Sequence, residues 1–85
     1  MKVAYSPSFL RQYNKLPSEL QEEVYERIAL FSENPIHPFL KTHKLKGKFQ
    51  GRFSFSVNYS YRILFCYISK NEIFLLAVGD HDIYK

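Results

Sequence analysis

The residues best suited to chemistry lie in the second half of the chain and are basic or aromatic. His43 and His81 supply imidazoles, Arg62 supplies a guanidinium and Tyr84 supplies a phenol. Imidazole transfers protons near neutral pH, and guanidinium matches the geometry of phosphate. Cleavage of RNA without a metal needs this combination. One group must accept the 2′-OH proton, another must protonate the 5′-oxygen, and a cation must hold the phosphate charge.

A cluster of cations accompanies these residues. Residues 41–52 contain five basic side chains and no acidic one, namely Lys41, Lys44, Lys46, Lys48 and Arg52. A basic loop beside a sheet can follow a phosphate backbone, so the cluster is a candidate RNA-binding segment. The alternative is a solvated surface that keeps the protein soluble, and the charge alone does not decide between them.

The net charge of the 85 residues is +4 and is unevenly distributed. Residues 1–35 carry four basic and five acidic side chains, whereas residues 36–85 carry eight and three. A basic half on a small domain suggests an anionic partner, most often a nucleic acid.

Each candidate residue also has a structural interpretation. His81, between two aspartates, fits an exposed tail, and His43 fits a solvated loop. Tyr84 fits a tail residue that docks on the core. Arg62 opens an apolar strand, where a charge is costly unless it is paired or faces a cleft, and the sequence leaves its functional and structural interpretations equally open.

Several classes of protein and site are excluded by composition. Cys66 is the single cysteine, so neither an intramolecular disulfide nor a cysteine-based zinc site is expected, and the three histidines lack zinc-motif spacing. We therefore expect no metal and no cofactor. No signal peptide is evident, and the longest apolar run, residues 63–68, is too short to cross a bilayer, so a cytoplasmic protein without membrane contact is expected.

The residue pattern of the first half predicts a strand followed by two helices. Residues 1–5 form the strand, and Ser6 before Pro7 predicts the start of a helix that ends at Pro17. Ser18 and Gln21 fit a capping box that opens a second helix, which Asn34-Pro35 ends. The short connection predicts a helical hairpin.

The second half reads as a basic irregular segment followed by three strands. The hydrophobic residues of segment 35–51 show no regular spacing, whereas apolar and polar residues alternate over 53–57 as in a half-buried strand. Residues 61–68 and 72–78 are apolar on both faces, which is typical of central strands. Residues 80–85 form a polar tail. We therefore predict a single α+β domain over residues 1–85. In it, an N-terminal strand and a helical hairpin pack on one face of a mostly antiparallel four-stranded sheet.

The combination of motifs in the second half resembles the RelE/ParE superfamily of bacterial type II toxins, and within it the YafQ-like and RelE-like mRNA interferases. The resemblance covers nearly the whole chain. Its motifs are His43-Lys44-Leu45-Lys46-Gly47 with Gly51, then Tyr61-Arg62-Ile63-Leu64-Phe65, then Val78-Gly79-Asp80-His81-Asp82 with Tyr84.

The resemblance implies a ribonuclease that cuts mRNA in the ribosomal A site without a metal. It implies partners as well: mRNA, the ribosome, a cognate antitoxin, and operator DNA only through that antitoxin. By position, Arg62 falls on the arginine that stabilises the phosphate, and His81 falls on a proton-transfer histidine. His43, Tyr84 and the neighbouring Lys44 and Lys46 also fall on or near family site positions.

Two departures separate the chain from its relatives. Tyr84 follows His81 by three residues, where many relatives have four. Ser56 and Ser60 stand where YafQ-like sites have a histidine and an aspartate. Two alternatives stay open: a ParE-like poison of DNA gyrase, and a non-catalytic protein of the same fold that only binds its antitoxin.

Overall fold

The computed structural model describes residues 1–84, and Lys85, the end of the predicted polar tail, lies outside the described residues. Within residues 1–84, two helices and five strands follow one another as β1 (Lys2–Tyr5), α1 (Pro7–Asn14), α2 (Ser18–Glu33), β2 (His43–Lys44), β3 (Phe53–Ser56), β4 (Arg62–Ser69) and β5 (Glu72–Gly79). Three short 3-10 turns are η1 (Pro38–Leu40), η2 (Gly47–Phe49) and η3 (His81–Tyr84). Neither helix of this described part is long and apolar enough to cross a membrane.

The strands form one sheet in the order β1-β5-β4-β3-β2. β1 pairs with β5 in parallel, and the other pairs are antiparallel. The predicted α+β class and mostly antiparallel sheet are confirmed, and the two strands that are apolar on both faces lie inside the sheet. The predicted strand number was wrong, because β2 adds a fifth strand at the edge. β2 has only two residues and lies in a lysine-rich segment, so the alternation of apolar and polar residues that marks a strand cannot be seen there.

The first helix begins where the sequence predicts. The Ser6 hydroxyl accepts a hydrogen bond of 3.0 Å from the Phe9 N–H, and Pro7 occupies the first helical position. The same hydroxyl donates to the Leu76 carbonyl of β5 over 3.1 Å. One buried serine therefore caps α1 and ties it to a strand 70 residues later in the chain.

The predicted capping box at the start of α2 was wrong. The cap residue is Pro17, and no side chain caps the helix. Ser18 already has helical backbone geometry, so its hydroxyl is not placed to accept from the first turn. The Gln21 amide donates instead to the Tyr13 carbonyl over 2.9 Å and thereby joins the two helices.

Both helices cover the same face of the sheet. Phe31 of α2 stacks on Phe55 with ring centroids 4.8 Å apart and meets the edge of Phe65 at 5.0 Å. All three rings are fully buried, and each contributes roughly 1.5–3 kcal/mol by leaving water. The other members of this core come from α1, α2 and the strands, among them Phe9, Val24, Ile63, Ile73 and Leu75.

The opposite face carries the alternate residues of the central strands. Because side chains alternate along a strand, Ser54 and Ser56 of β3 and Arg62, Leu64 and Cys66 of β4 point away from the helices. We call this surface the open face. Leu64 is only 5% exposed although it stands outside the main core, so part of the open face is covered. The predicted tail forms η3, which packs against β5 and reaches the open face, where the Tyr84 hydroxyl lies 2.7 Å from the Ser54 hydroxyl.

The double role of Ser6 leads to a prediction about stability. Ser6→Ala should lower the free energy of unfolding by about 1–2 kcal/mol, because it leaves the Phe9 N–H and the Leu76 carbonyl unpaired. Ser18→Ala is the matched control and should change it by less than about 0.5 kcal/mol. Urea denaturation measures both. Equal effects of the two substitutions would contradict the assignment of the caps.

Candidate functional site

Arg62 stands at the point where the covered part of the open face ends. It is the first residue of β4 and pairs with Ser56 on one side and Gly79 on the other. Its side chain is half-buried, and Nη1 donates to the Ser56 hydroxyl over 2.6 Å. Since this bond uses one of the five guanidinium N–H groups, the side chain is oriented and still able to bind an anion.

The turn η3 brings two predicted site residues to the same face. The Tyr84 and Ser54 hydroxyls share a hydrogen bond of 2.7 Å, and the Tyr84 ring lies 6.3 Å from the imidazole of His81. Gly79 makes this docking possible, because a Cβ at that position would lie 2.6 Å from Cγ2 of Ile83. The close approach therefore requires glycine at the end of β5.

Arg62 and His81 line one cleft of about 560 Å³. Lys41 from the end of η1 and Arg27 from α2 line it as well, and no carboxylate is present among the described residues of its lining. His81 also borders a smaller hollow that contains Asp80 and Asp82. The cleft thus gathers three permanent cations beside an imidazole that stands at its edge.

Lys41 turns the chain from η1 into β2. Its backbone is left-handed at φ 48°, a conformation that costs a residue other than glycine of the order of 1 kcal/mol or more. Its carbonyl accepts a hydrogen bond of 3.0 Å from Nδ1 of His43. Because a carbonyl cannot donate, neutral His43 carries its proton on Nδ1 and leaves Nε2 free to accept one.

His43 and Tyr84 lie on the open face outside the cleft lining. His43 pairs across the sheet with Ser54, the residue that holds the Tyr84 hydroxyl. The structure therefore divides the four predicted catalytic residues into two neighbouring groups. Arg62 and His81 share the cleft, whereas Ser54 is the cross-strand partner of His43 and the hydrogen-bond partner of Tyr84.

The predicted RNA-binding residues are divided as well. Lys41 lies in the cleft, whereas Lys44, Lys46 and Arg52 line a second hollow. The Lys48 ammonium lies 5.3 Å from the centre of the Phe49 ring, and the Arg52 guanidinium lies 5.8 Å from it. Phe49 also meets Tyr84 at 6.2 Å, so this ring connects the basic hollow to the open face.

Solved structures of toxins resemble the chain over nearly its whole length. YafQ from E. coli strain BL21(DE3) has a TM-score of 0.80 at 14% identity and covers 98% of this chain and 96% of its own. A YoeB/ParE toxin from Agrobacterium tumefaciens has a TM-score of 0.79 at 18% identity, with coverages of 95% and 99%. The toxin–antitoxin complex RelBE2 from Mycobacterium tuberculosis has a TM-score of 0.79 at 22% identity, with coverages of 94% and 96%. The chain has the RelE/ParE toxin fold.

The resemblance seen in the sequence is therefore confirmed at the level of the fold. No family model and no curated protein sequence matches the chain. At these identities the comparisons establish the arrangement of the RelE/ParE fold alone, and the roles of individual residues remain predictions. Among the described residues, no cluster of three or more His, Cys, Asp or Glu side chains is placed to hold a metal ion.

Sequence reasoning missed three residues of this RelE/ParE-fold cleft: Arg27, Phe39 and Tyr59. Arg27 is the only basic residue of α2, which carries five glutamates, and this isolation is the one signal that the sequence offers. Phe39 and Tyr59 belong to irregular segments whose apolar residues have no regular spacing, so the sequence does not show that these two rings are exposed.

The close contact at Gly79 leads to a test of how the RelE/ParE fold holds η3. Gly79→Ala should destabilise the protein by about 1–3 kcal/mol, because the new methyl group overlaps Ile83. It should also weaken the contact between Tyr84 and Ser54, as measured by nuclear Overhauser effects between the two side chains. Gly79→Ala combined with Ile83→Ala should restore that contact. A single variant that keeps both full stability and the contact would contradict the packing described.

Proposed function

We propose that the protein is the toxin of a type II toxin–antitoxin system and acts as a metal-independent endoribonuclease that cleaves mRNA in the ribosomal A site. The observation that carries the proposal is the presence of Arg62 and His81 in one cleft with two further cations. The RelE/ParE fold supports the class of toxin. The sequence motifs that resemble mRNA interferases support RNA as the substrate.

Arg62 binds the scissile phosphate in this proposal. The Ser56 hydroxyl orients its guanidinium, and half-burial reduces its competition with water. The charge on the phosphate oxygens rises as the 2′-oxygen attacks, so a fixed cation stabilises the transition state more than the bound substrate. Lys41 and Arg27 add to the positive potential around the same phosphate.

The reaction needs two proton transfers. The 2′-oxygen forms a bond to phosphorus as its proton is accepted, and the bond from phosphorus to the 5′-oxygen breaks as that oxygen is protonated. The products are a 2′,3′-cyclic phosphate and a free 5′-hydroxyl. His81 is the proton-transfer group beside Arg62. His43, whose Nε2 is a free acceptor in the neutral form, or the Tyr84 hydroxyl supplies the second transfer.

The basic hollow extends the proposed binding path beyond the cleft. Lys44, Lys46 and Arg52 line it, and Lys48 stands beside it on η2. These cations bind the phosphates of RNA segments next to the cleaved one, and each phosphate contact makes binding more sensitive to salt.

Substitution of Arg62 and His81 tests the proposed nuclease. The wild-type protein, expressed in bacteria, should stop growth and fragment mRNA. Arg62→Ala and His81→Ala should each lower the rate of cleavage by about 10²-fold or more. Lys70→Ala, on the exposed turn between β4 and β5, is the control and should leave the rate unchanged.

Three results would contradict the nuclease. The first is intact mRNA in cells whose growth has stopped. If those cells also contain gyrase-linked DNA breaks, the result assigns the protein to the gyrase poisons instead. The second is a wild-type protein without effect on growth or mRNA, which leaves only the binding of an antitoxin. The third is full activity of both variants.

We also propose that a cognate antitoxin neutralises the protein by placing acidic side chains in the cleft. RelBE2, a toxin–antitoxin complex of the same fold, supports a protein partner, and the cluster of Lys41, Arg62 and Arg27 supports its charge. The double variant Lys41→Ala/Arg62→Ala should bind the product of an adjacent small reading frame about tenfold more weakly, or worse, in calorimetric titrations at low salt. Lys70→Ala should bind it as tightly as the wild-type protein. Unchanged affinity of the double variant would contradict binding at the cleft.

A further inference from the structure

Two aromatic rings of the cleft are largely exposed to solvent and do not contribute to the core. Tyr59 is 96% exposed and Phe39 is 67% exposed, and both line the cleft that contains Arg62 and His81. Burying either ring would add to stability, so the exposure of both beside one cluster of cations points to a ligand with an apolar, planar part and a negative charge.

The segment that carries Tyr59 is fixed although its side chain is free. The Asn58 side-chain oxygen accepts hydrogen bonds of 2.9 Å from the N–H groups of Ser60 and Tyr61. The Asn58 amide also donates to Glu23 of α2 over 3.0 Å. Because the backbone is tied to itself and to the helix, a ligand that packs on the Tyr59 ring orders little of the chain on binding.

Phe39 is held in place by neighbours on only part of its ring. The Arg27 guanidinium lies 5.7 Å from the ring centre, and His37 meets the ring at 4.8 Å with an angle of 65° between the planes. The Phe39 N–H also donates to Nδ1 of His37 over 3.1 Å. These contacts fix the orientation of the ring and leave most of its surface open to the cleft.

We infer that Tyr59 and Phe39 are stacking platforms for the unpaired bases that flank the phosphate bound by Arg62. This inference rests on the proposed function and extends it from the phosphate to the bases. A single-stranded RNA matches the observations, because its charges meet Arg62, Lys41 and Arg27 while its bases cover the rings. Stacking uses the face that all bases share, so the two rings position the strand with little selection of sequence.

A matched pair of ligands separates stacking from phosphate binding. The first is a tetra-adenylate with 2′-O-methyl riboses, which cannot be cleaved because the 2′-oxygen carries no proton and is blocked. The second is the same 2′-O-methyl ribose-phosphate tetramer without bases. Titrations followed by NMR give both affinities, even when they are weak, and ring-current shifts report contact at the Tyr59 and Phe39 rings.

We expect the wild-type protein to bind the adenylate at least about fivefold more tightly than the baseless tetramer. Tyr59→Ala should reduce this preference without weakening the binding of the baseless tetramer, since the cations remain. Phe39→Ala should also reduce the preference, which is the ratio of the two affinities, because the loss of its contact with Arg27 weakens both ligands alike. Tyr59→Phe should keep the preference, because the ring is retained. Tyr25→Ala, which removes a tyrosine that is 71% exposed on α2 outside the cleft, is the control and should also keep it.

An unchanged preference in both alanine variants, or no preference in the wild-type protein, would overturn the inference. Neither result bears on the nuclease, which is decided by the cleavage of mRNA and its loss in Arg62→Ala. Conversely, a clear preference in a protein that cleaves no mRNA would support base stacking and refute the nuclease. The variants should fold normally, because both rings are exposed, and their amide NMR spectra check this.

Discussion

The apolar character of both faces of β4 is the constraint on which this structure depends. Phe65 points toward the helices and Leu64 points away from them, yet both are buried. Two helices are enough to cover only one face, so the second face needs a cover from elsewhere in the chain. The chain provides it by reversing at Gly79 and laying η3 on the open face, where Tyr84 bonds to Ser54. The same reversal brings His81 to the cleft of Arg62. The docking of η3 therefore both covers part of the open face and places His81 beside Arg62.

Charge is separated in the fold in the same way. The acidic side chains of α2 face solvent on the helix side, and the one that reaches the loop before β4, Glu23, holds Asn58 rather than a cation. Cations are placed instead against aromatic rings, Arg27 against Phe39, and Lys48 and Arg52 against Phe49. A ring supports a cation without neutralising it, so these side chains are oriented and their charge remains available to an anion.

Elements with a regular pattern of apolar residues, and the helix that begins at Ser6, could be predicted from the sequence. The alternation in β3, the apolar runs of β4 and β5 and the Ser6 cap all produced the structure that their local chemistry indicates. The missed features depend on contacts between separate elements of the fold. β2 exists because β3 offers it a free edge, and Gln21 bonds to Tyr13 because the helices meet there. For the site, Arg62 was suspected because a charge interrupts an apolar strand. Arg27 and Tyr59 were not, because only the folded chain brings a helix and a loop to one cleft.

The parallel pairing of β1 with β5 determines when the protein can take shape during its synthesis. β5 is the last of the five strands to leave the ribosome, yet it lies between β1 and β4. Until it emerges, β1 has no neighbouring strand, and Ser6 lacks the Leu76 carbonyl. Contacts that join residues so far apart in sequence also form slowly. A nascent chain whose η3 has not yet emerged therefore carries no complete cleft. Any activity that needs Arg62 and His81 together begins only after translation has passed η3. A chain whose synthesis stops before η3 contains Arg62 and the lysines of residues 41–48 but lacks His81 and therefore the assembled cleft.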